Sequence, residues 1–173
     1  ITSTHDETTL LNQVCQALVN ALNVDHSGLA LIDADKQHAT VVSEFPLKGS
    51  IGVKLDMVND TFQRQVLESR QHVLVEDLNT DARMGETTRD LLKGAGVSSL
   101  MVMPLVDVEG EFIGSIGLDL YAGKQFTPDM IDVAQTITAQ FNVALQNIRL
   151  LADAQTRAGQ LASQVRALEM LNE

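Results

Sequence analysis

The sequence predicts an α+β fold, with an antiparallel sheet in the middle of the chain and a long helix at its C-terminal end. Residues 96–120, GVSSLMVMPLVDVEGEFIGSIGLDL, contain two apolar runs joined by an acidic turn with one glycine, which is typical of a β-hairpin. Apolar residues recur at helical spacing near both ends of the chain. Short extended and short helical segments lie between the first helix and the hairpin, and they complete the α+β pattern.

The first elements are a helix and two strands. Residues 3–24 form the predicted helix, because apolar side chains recur on one face. The segment HSGLALID is apolar on both faces, which indicates a strand covered on both sides. After the turn residues DADKQ, ATVVSEF predicts a second strand, and VKLDM predicts a short extended piece. The apolar face of the helix carries Leu11, Val14, Cys15, Leu18, Val19 and Leu22.

The middle of the chain is less regular. NDTFQRQVLESRQ predicts a helix capped by Asn59 or Asp60, and HVLVEDL predicts another short strand. The segment NTDARMGETTRDLLKGAG, which begins at residue 79, mixes both charge signs with three glycines. A short helix is predicted around Glu86–Lys93 and ended by Gly94. Irregular segments often carry binding residues, so an adaptable site is expected here.

Alternation assigns the side chains of the hairpin to two faces. Ser99 and Met101 share a face of the first strand, and Phe112 shares a face with Ile116 in the second. Small residues in the second strand would let another group approach the sheet closely. These residues are Gly114, Ser115 and Gly117.

The C-terminal helix has agreeing start signals. Thr127 is the predicted N-cap, Pro128 the first helical residue, and Asp129 favours the positive helix end. If the helix continues to the end of the chain, it is roughly 70 Å long. From residue 151 onward, apolar residues alternate at three- and four-residue spacing, which predicts a coiled-coil seam. The seam comprises Leu151, Ala154, Ala158, Leu161, Val165 and Leu168.

The length of 173 residues suits one domain, residues 1–150, plus a coiled-coil helix, residues 151–173. The net charge of −11 argues against nucleic-acid binding, and no run of apolar residues is long enough to span a membrane. The chain starts without Met or a signal peptide, so we expect a domain from a longer protein. A single cysteine, Cys15, fits a reducing cytoplasm.

The ordered segments resemble the GAF domain family. The resemblance lies in STHDETTLLNQV before GLALID, in VEDLNTDAR, in LLKGAGVSSLMVMPL, and in GEFIGSIGLDL before FTPDMIDVAQTITAQFNVALQNIRL. It implies a sheet of five or six antiparallel strands, with the first and last helices on one face. It also implies a ligand pocket on the other face, under the middle segment. Such domains often precede histidine kinases, cyclases, phosphodiesterases or transcriptional activators, and many dimerise through their terminal helices.

The sequence lacks the motifs that carry the special chemistries of the family. Thr87 stands where bilin-binding members carry the attachment cysteine, so no covalent cofactor is expected. The Asn-Lys…Phe…Asp-Glu signature of cyclic-nucleotide-binding members is not found in order. The only thiol, Cys15, lies on the buried face of the first helix, which argues against methionine sulfoxide reductase chemistry. We expect no catalytic residues and no metal site, because the histidines show no ligand spacing. The histidines are His5, His26, His38 and His72.

A ligand cavity is predicted between the sheet and residues 76–95. The acidic residues and Arg83 could orient a ligand or form a solvated loop, and Met101 could line the pocket or pack in the core. Two functions remain open: a sensory module that binds a small molecule and signals to an output domain as a homodimer, or a ligand-free dimerisation spacer. The candidate pocket residues are Phe62, Glu76, Asp77, Arg83, Thr87, Ser99 and Met101.

Overall fold

The computed structural model describes residues 2–172 and the side chains of residues 5–172. Four helices and six strands lie in this part of the chain. In chain order they are α1 (Thr2–Leu22), β1 (His26–Ile32), β2 (His38–Phe45), β3 (Lys54–Asp56), α2 (Thr61–Ser69), β4 (Val73–Val75), α3 (Glu86–Gly94), β5 (Val97–Val106), β6 (Phe112–Tyr121) and α4 (Pro128–Leu171).

The six strands form one sheet in the order β3-β2-β1-β6-β5-β4. Every neighbouring pair is antiparallel, including the β5–β6 hairpin that the sequence predicts. The β1–β2 hairpin and the β5–β6 hairpin meet where β1 pairs with β6, so an early and a late strand of the chain form the centre of the sheet. The predicted α+β class with five or six antiparallel strands is therefore confirmed.

The sheet separates two hydrophobic cores. On one face, which we call the helical face, α1 and α4 pack on residues such as Leu29, Met101 and Leu118. On the other, which we call the cavity face, α2 and the segment around α3 cover Ala30, Val102 and neighbouring residues. Burial of these aliphatic side chains, each contributing about 1.5–3 kcal/mol, drives the assembly of both layers. The predicted placement of helices on both faces is confirmed.

Local sequence signals fix where the helices begin. The Asp60 carboxylate accepts hydrogen bonds from the N–H groups of Phe62 and Gln63, so Asp60 rather than Asn59 caps α2. Thr127 Oγ1 accepts from the N–H of Met130, and Pro128 occupies the first turn of α4 as predicted. Each cap satisfies backbone donors that have no partner inside the helix.

A register shift in the β5–β6 hairpin changes the predicted face of Phe112. It lies between Leu105 and Val106 of β5, opposite the start of β6. As a result, Phe112 packs in the core of the cavity face, whereas Ile116 packs in the core of the helical face. The prediction that these two residues share a face is wrong, because an irregularity in one strand shifts the alternation beyond it.

α4 extends beyond the domain. It contains 44 residues, roughly 66 Å of helix, but its last fully buried side chain is Leu145. Residues 153–172 are all exposed. Within the described residues, none of the helices combines the length and apolar character needed to cross a bilayer.

Candidate functional site

A cavity of about 410 Å³ lies on the cavity face, between the sheet and helices α2 and α3. Its walls are mainly aliphatic and come from five neighbouring strands and both helices. The aromatic side chains in the lining are Phe62 of α2 and Tyr121 of β6. The volume falls within the range of small-molecule sites, roughly 300–1,000 Å³. Aliphatic lining residues include Ala30, Val41, Leu55, Leu92, Leu100 and Val102.

Two paired glycines form part of the cavity floor. Gly28 of β1 lies opposite Gly117 of β6, at the centre of the sheet. A Cβ atom built on Gly117 would meet nothing of the protein closer than 3.8 Å, and the same holds for Gly28. The space above this pair is therefore open, and the floor consists of bare backbone.

One end of the cavity is polar, because three buried ionisable side chains meet there. His26 Nδ1 lies 2.8 Å from Asp119 Oδ2, and His26 Nε2 lies 2.9 Å from Glu44 Oε2. The three residues come from the adjacent strands β1, β6 and β2. His26 and Asp119 line the cavity directly, whereas Glu44 lies behind His26.

The partners of His26 favour its protonated form. Burial alone would lower the pKa of His26, but the hydrogen bonds to Asp119 and Glu44 outweigh it, so the pKa is raised above 6.5. A neutral imidazole has only one N–H donor, and two carboxylate acceptors face this ring. The imidazolium satisfies both carboxylates at once.

Glu44 also holds the loop that follows β2. Its Oε1 accepts from the N–H groups of Gly49 (2.8 Å) and Ser50 (3.0 Å), and Ser50 Oγ donates to Oε2 at 2.6 Å. Burial would raise the pKa of Glu44, but the hydrogen bonds from Ser50, His26 and the loop backbone lower it to about 2. Residues 48–50 line the cavity, so this carboxylate ties one wall to the sheet.

Several predicted pocket residues lie elsewhere. Phe62 is buried and lines the cavity, and of the two threonines of α3 it is Thr88, not Thr87, that lines it. Thr87 is exposed. Met101 packs in the core of the helical face, so it does not face the cavity.

Ser99 is also turned away from the cavity. Its hydroxyl donates to the carbonyl of Lys124 at 3.0 Å, and Leu100 rather than Ser99 contributes to the cavity lining. Ser99 and Met101 therefore share a face of β5 as predicted, but this is the helical face and not the cavity face. Alternation shows which residues share a face, but it does not show on which face the cavity lies.

Residues 76–83, which contain the predicted acidic residues and Arg83, form local contacts and do not line the cavity. Arg83 pairs with Asp81 and donates to the carbonyl of Leu74, which anchors the loop against β4. Asp77 accepts from the N–H of Asn79, as turn-forming aspartates do, and Glu76 is exposed. The solvated-loop interpretation fits these four residues better than a ligand contact.

Sequence reasoning missed His26, Glu44 and Asp119. The available signal was a polar, ionisable residue inside each of three apolar strands, HSGLALI, HATVVSEF and FIGSIGLDLY. Ionisable residues are seldom buried unless they are paired. The pairing itself depends on the β2-β1-β6 order of the sheet, which local sequence does not specify.

Comparison with known proteins agrees with this architecture. The family model described as GAF domain matches residues 6–145. The chain belongs to the GAF domain family. No curated protein matches the sequence with significance.

Solved GAF structures share the fold at low sequence identity. The blue-light absorbing PixJ GAF domain of Thermosynechococcus elongatus is 15% identical, with a TM-score of 0.77 over 92% of this chain and 96% of that one. The phycocyanobilin-bound GAF domain of a cyanobacterial phytochrome is 17% identical, with a TM-score of 0.69, covering 83% and 86%. The GAF domain of a two-component sensor histidine kinase from Bacillus halodurans is 17% identical, with a TM-score of 0.65, covering 81% and 96%.

The thiol of this GAF domain is not placed where it could hold a chromophore covalently in the cavity. Its only cysteine, Cys15, is buried in α1 on the helical face, whereas the cavity lies on the opposite face. Burial raises the pKa of the Cys15 thiol, which disfavours the reactive thiolate. Among residues 2–172, no group of three or more His, Cys, Asp or Glu side chains is arranged to hold a metal ion.

Proposed function

We propose that this GAF domain is a sensory or regulatory module that binds a small molecule in the cavity and signals through α4. The proposal rests on one observation: a single strand, β6, contributes both to the cavity and to the core in which α4 packs. Gly117 and Asp119 of β6 line the cavity, while Leu118 of the same strand packs in the core that contains α4 residues such as Phe141. A ligand that moves β6 would therefore act directly on the packing of α4.

Ligand binding distinguishes this function from that of a ligand-free spacer. Native mass spectrometry of the chain purified from cells should show an additional bound mass. Val41→Phe, which places a ring into the cavity, should abolish that mass, and Val108→Phe should retain it, because Val108 is exposed in the hairpin turn. Absence of any bound mass, or its retention in Val41→Phe, would favour the spacer.

The proposed output requires a dimer. Leu161 and Leu168 of the seam are 63% and 61% exposed, and such residues at three- and four-residue spacing favour pairing with a second helix. We place α4, together with α1, in a parallel homodimer that leads to an output domain such as a histidine kinase or cyclase. The weak seam between Ala154 and Gly159 would allow the helices to shift without separating.

We also propose that the domain has no catalytic activity and acts in the cytoplasm, where its single thiol stays reduced. Both ring nitrogens of His26 are already engaged by carboxylates, and Ser50 donates to Glu44 rather than to the imidazole. His26 therefore has no free nitrogen to activate a nucleophile. Cyclase, phosphodiesterase and sulfoxide-reductase assays of the pure chain should show no turnover; protein-dependent turnover that His26→Asn removes would contradict this.

A further inference from the structure

The two floor glycines are not explained by the packing of the protein. Gly114 of β6 is required by packing, because a Cβ there would lie 2.3 Å from the carbonyl oxygen of Ala30. Gly28 and Gly117 have no such neighbour, since their nearest protein atoms would lie 3.8 Å away, in ordinary van der Waals contact. Glycine weakens a strand, so two paired glycines without a packing reason indicate close approach by another molecule.

The shape of the floor favours a flat molecule. Bare backbone at Gly28 and Gly117 gives a surface without side chains, and Phe62 of α2 contributes an aromatic ring to the same cavity. The chain has five Phe and one Tyr, and the single tyrosine, Tyr121, also lines the cavity. Aromatic rings stack favourably on other flat ring systems. A volume of about 410 Å³ suits one or two fused rings better than a large macrocycle.

The polar end of the cavity offers a hydrogen-bond acceptor. Asp119 is only 9% exposed, and its Oδ2 is paired with His26, but Oδ1 makes no hydrogen bond to any of the described residues. Glu44, by contrast, uses both oxygens within the protein. Because Asp119 lines the cavity, this free carboxylate oxygen can accept a hydrogen bond from a donor bound there.

The charges at this end disfavour anions. Glu44 and Asp119 supply two carboxylates, and the His26 imidazolium offsets one of them. The exposed Lys48 lies at the cavity edge, and it is the one cationic side chain in the lining besides His26 among the described residues. An anion would have to rely on Lys48 while facing Asp119.

We propose that the cavity binds a small, flat heteroaromatic molecule, neutral or cationic, that lies on the Gly28–Gly117 floor and donates an N–H to Asp119 Oδ1. This inference rests on the proposed ligand-binding function and names the class of ligand. The donor could be a ring N–H or an exocyclic amino group, since both present the same chemistry to the carboxylate.

Three matched probes test the proposal in the intact chain. Aminobenzothiazole, methylbenzothiazole and benzothiazole carboxylate, all substituted at the carbon between sulfur and nitrogen, share a flat ring system and differ in one group. Amide NMR titration should show that the amino compound binds at least about tenfold more tightly than the other two, because only it donates to Asp119.

Variants test the polar end of the cavity and its glycine floor separately. Asp119→Asn can still accept from His26, but it turns a donor toward the cavity and should remove the preference for the amino compound. Glu44→Gln weakens the other side of the same bridge while leaving Asp119 in place, so the preference should remain. The double change Gly28→Ala with Gly117→Ala should weaken binding at least about tenfold while keeping the fold. Gly159→Ala, on the exposed helix, should have no effect.

Each outcome decides the proposal. Equal or tighter binding of the methyl or carboxylate compound, or a preference that survives Asp119→Asn, overturns the ligand class but leaves the sensory function standing. The same conclusion follows if no probe binds while native mass spectrometry detects a bound molecule of other chemistry. If no probe binds and no bound mass is found, both the class and the proposed function fail.

Discussion

His26 shows how one residue links three strands. It joins Glu44 of β2 to Asp119 of β6 through both ring nitrogens, and all three side chains are buried. Buried carboxylates are stable only when they are paired and hydrogen-bonded. Protonated His26 therefore holds the central strands and the loop at residues 48–50 in one arrangement, at the place where the proposed ligand binds.

His26 predicts a pH-dependent stability. Its folded pKa is raised above 6.5, so its contribution is fully present below pH 6.5 and is lost as pH rises through the raised value. His26→Asn should lower the unfolding free energy by about 3 kcal/mol at acidic pH, and the difference from wild type should shrink toward high pH. Urea denaturation between about pH 5 and 9 measures this difference.

The matched control is His5→Asn, because His5 is exposed at the start of α1. The variant should stay close to wild type in unfolding free energy, because an exposed side chain loses few contacts on substitution. Glu44 acts in the opposite direction: its pKa is lowered from 4.5 to about 2, so its contribution is present above pH 4.5 and is lost as pH falls toward 2. A His26→Asn difference that grows with pH would contradict the assignment.

Gly114 provides a second prediction at the scale of a single residue. Gly114→Ala places a methyl group 2.3 Å from the carbonyl oxygen of Ala30, and backbone cannot move aside cheaply. The variant should lose about 1–3 kcal/mol of unfolding free energy in urea denaturation. Gly117→Ala is the matched control in the same strand and should be neutral or slightly stabilising. Equal losses in both variants would mean that the close contact with Ala30 is not what makes Gly114 necessary.

At the scale of elements, the sequence predicts what depends on neighbouring residues. The caps of α2 and α4 and the buried face of α1 follow from local spacing, and all were located correctly. The predicted faces of β5 are correct, but Phe112 at the start of β6 lies on the opposite face to the one predicted, because a register shift interrupts the alternation there. The polar end of the cavity could not be predicted, since His26 and Asp119 are 93 residues apart and meet only through strand order.

α4 is the element that carries the proposed dimer. Replacing Leu161 and Leu168 by lysine places like charges at the centre of the predicted seam, where desolvation of charge is costly. The double variant should be monomeric at tens of micromolar in analytical ultracentrifugation, while the wild type is a dimer. The α4 helix itself should persist in circular dichroism, because lysine is a good helix former.

The control for this experiment keeps the same charge and spacing. Ser163→Lys with Met170→Lys adds two lysines seven residues apart on the face opposite the seam, and both positions are exposed. This variant should remain dimeric. A monomeric wild type, or a dimer that persists in the variant with the seam lysines, would show that these leucines do not join the chains.

At the scale of the whole molecule, the orientation of the two α4 helices determines whether a signal can be passed on. An output dimer needs both chains to end at the same place, which requires parallel helices. Spin labels at Asp153→Cys and Ala167→Cys occupy equivalent positions two heptads apart, both exposed and off the seam. Parallel helices, with axes about 8–10 Å apart, should give similar short distances between equivalent labels at both sites.

An antiparallel pair gives a different result. Equivalent labels are then displaced along the axis by about 1.5 Å for each residue of offset on each helix, so at least one site separates by on the order of 20 Å more. Cys15 is buried, so the chain without an introduced cysteine serves as the labelling control. The same labels test whether the cavity is coupled to α4. If aminobenzothiazole changes the short distances at both sites, and does not change them in the Gly28→Ala/Gly117→Ala variant, ligand binding in the cavity alters the helix pair. Distances that do not respond to a bound probe would leave α4 as a dimerisation element without a role in signalling.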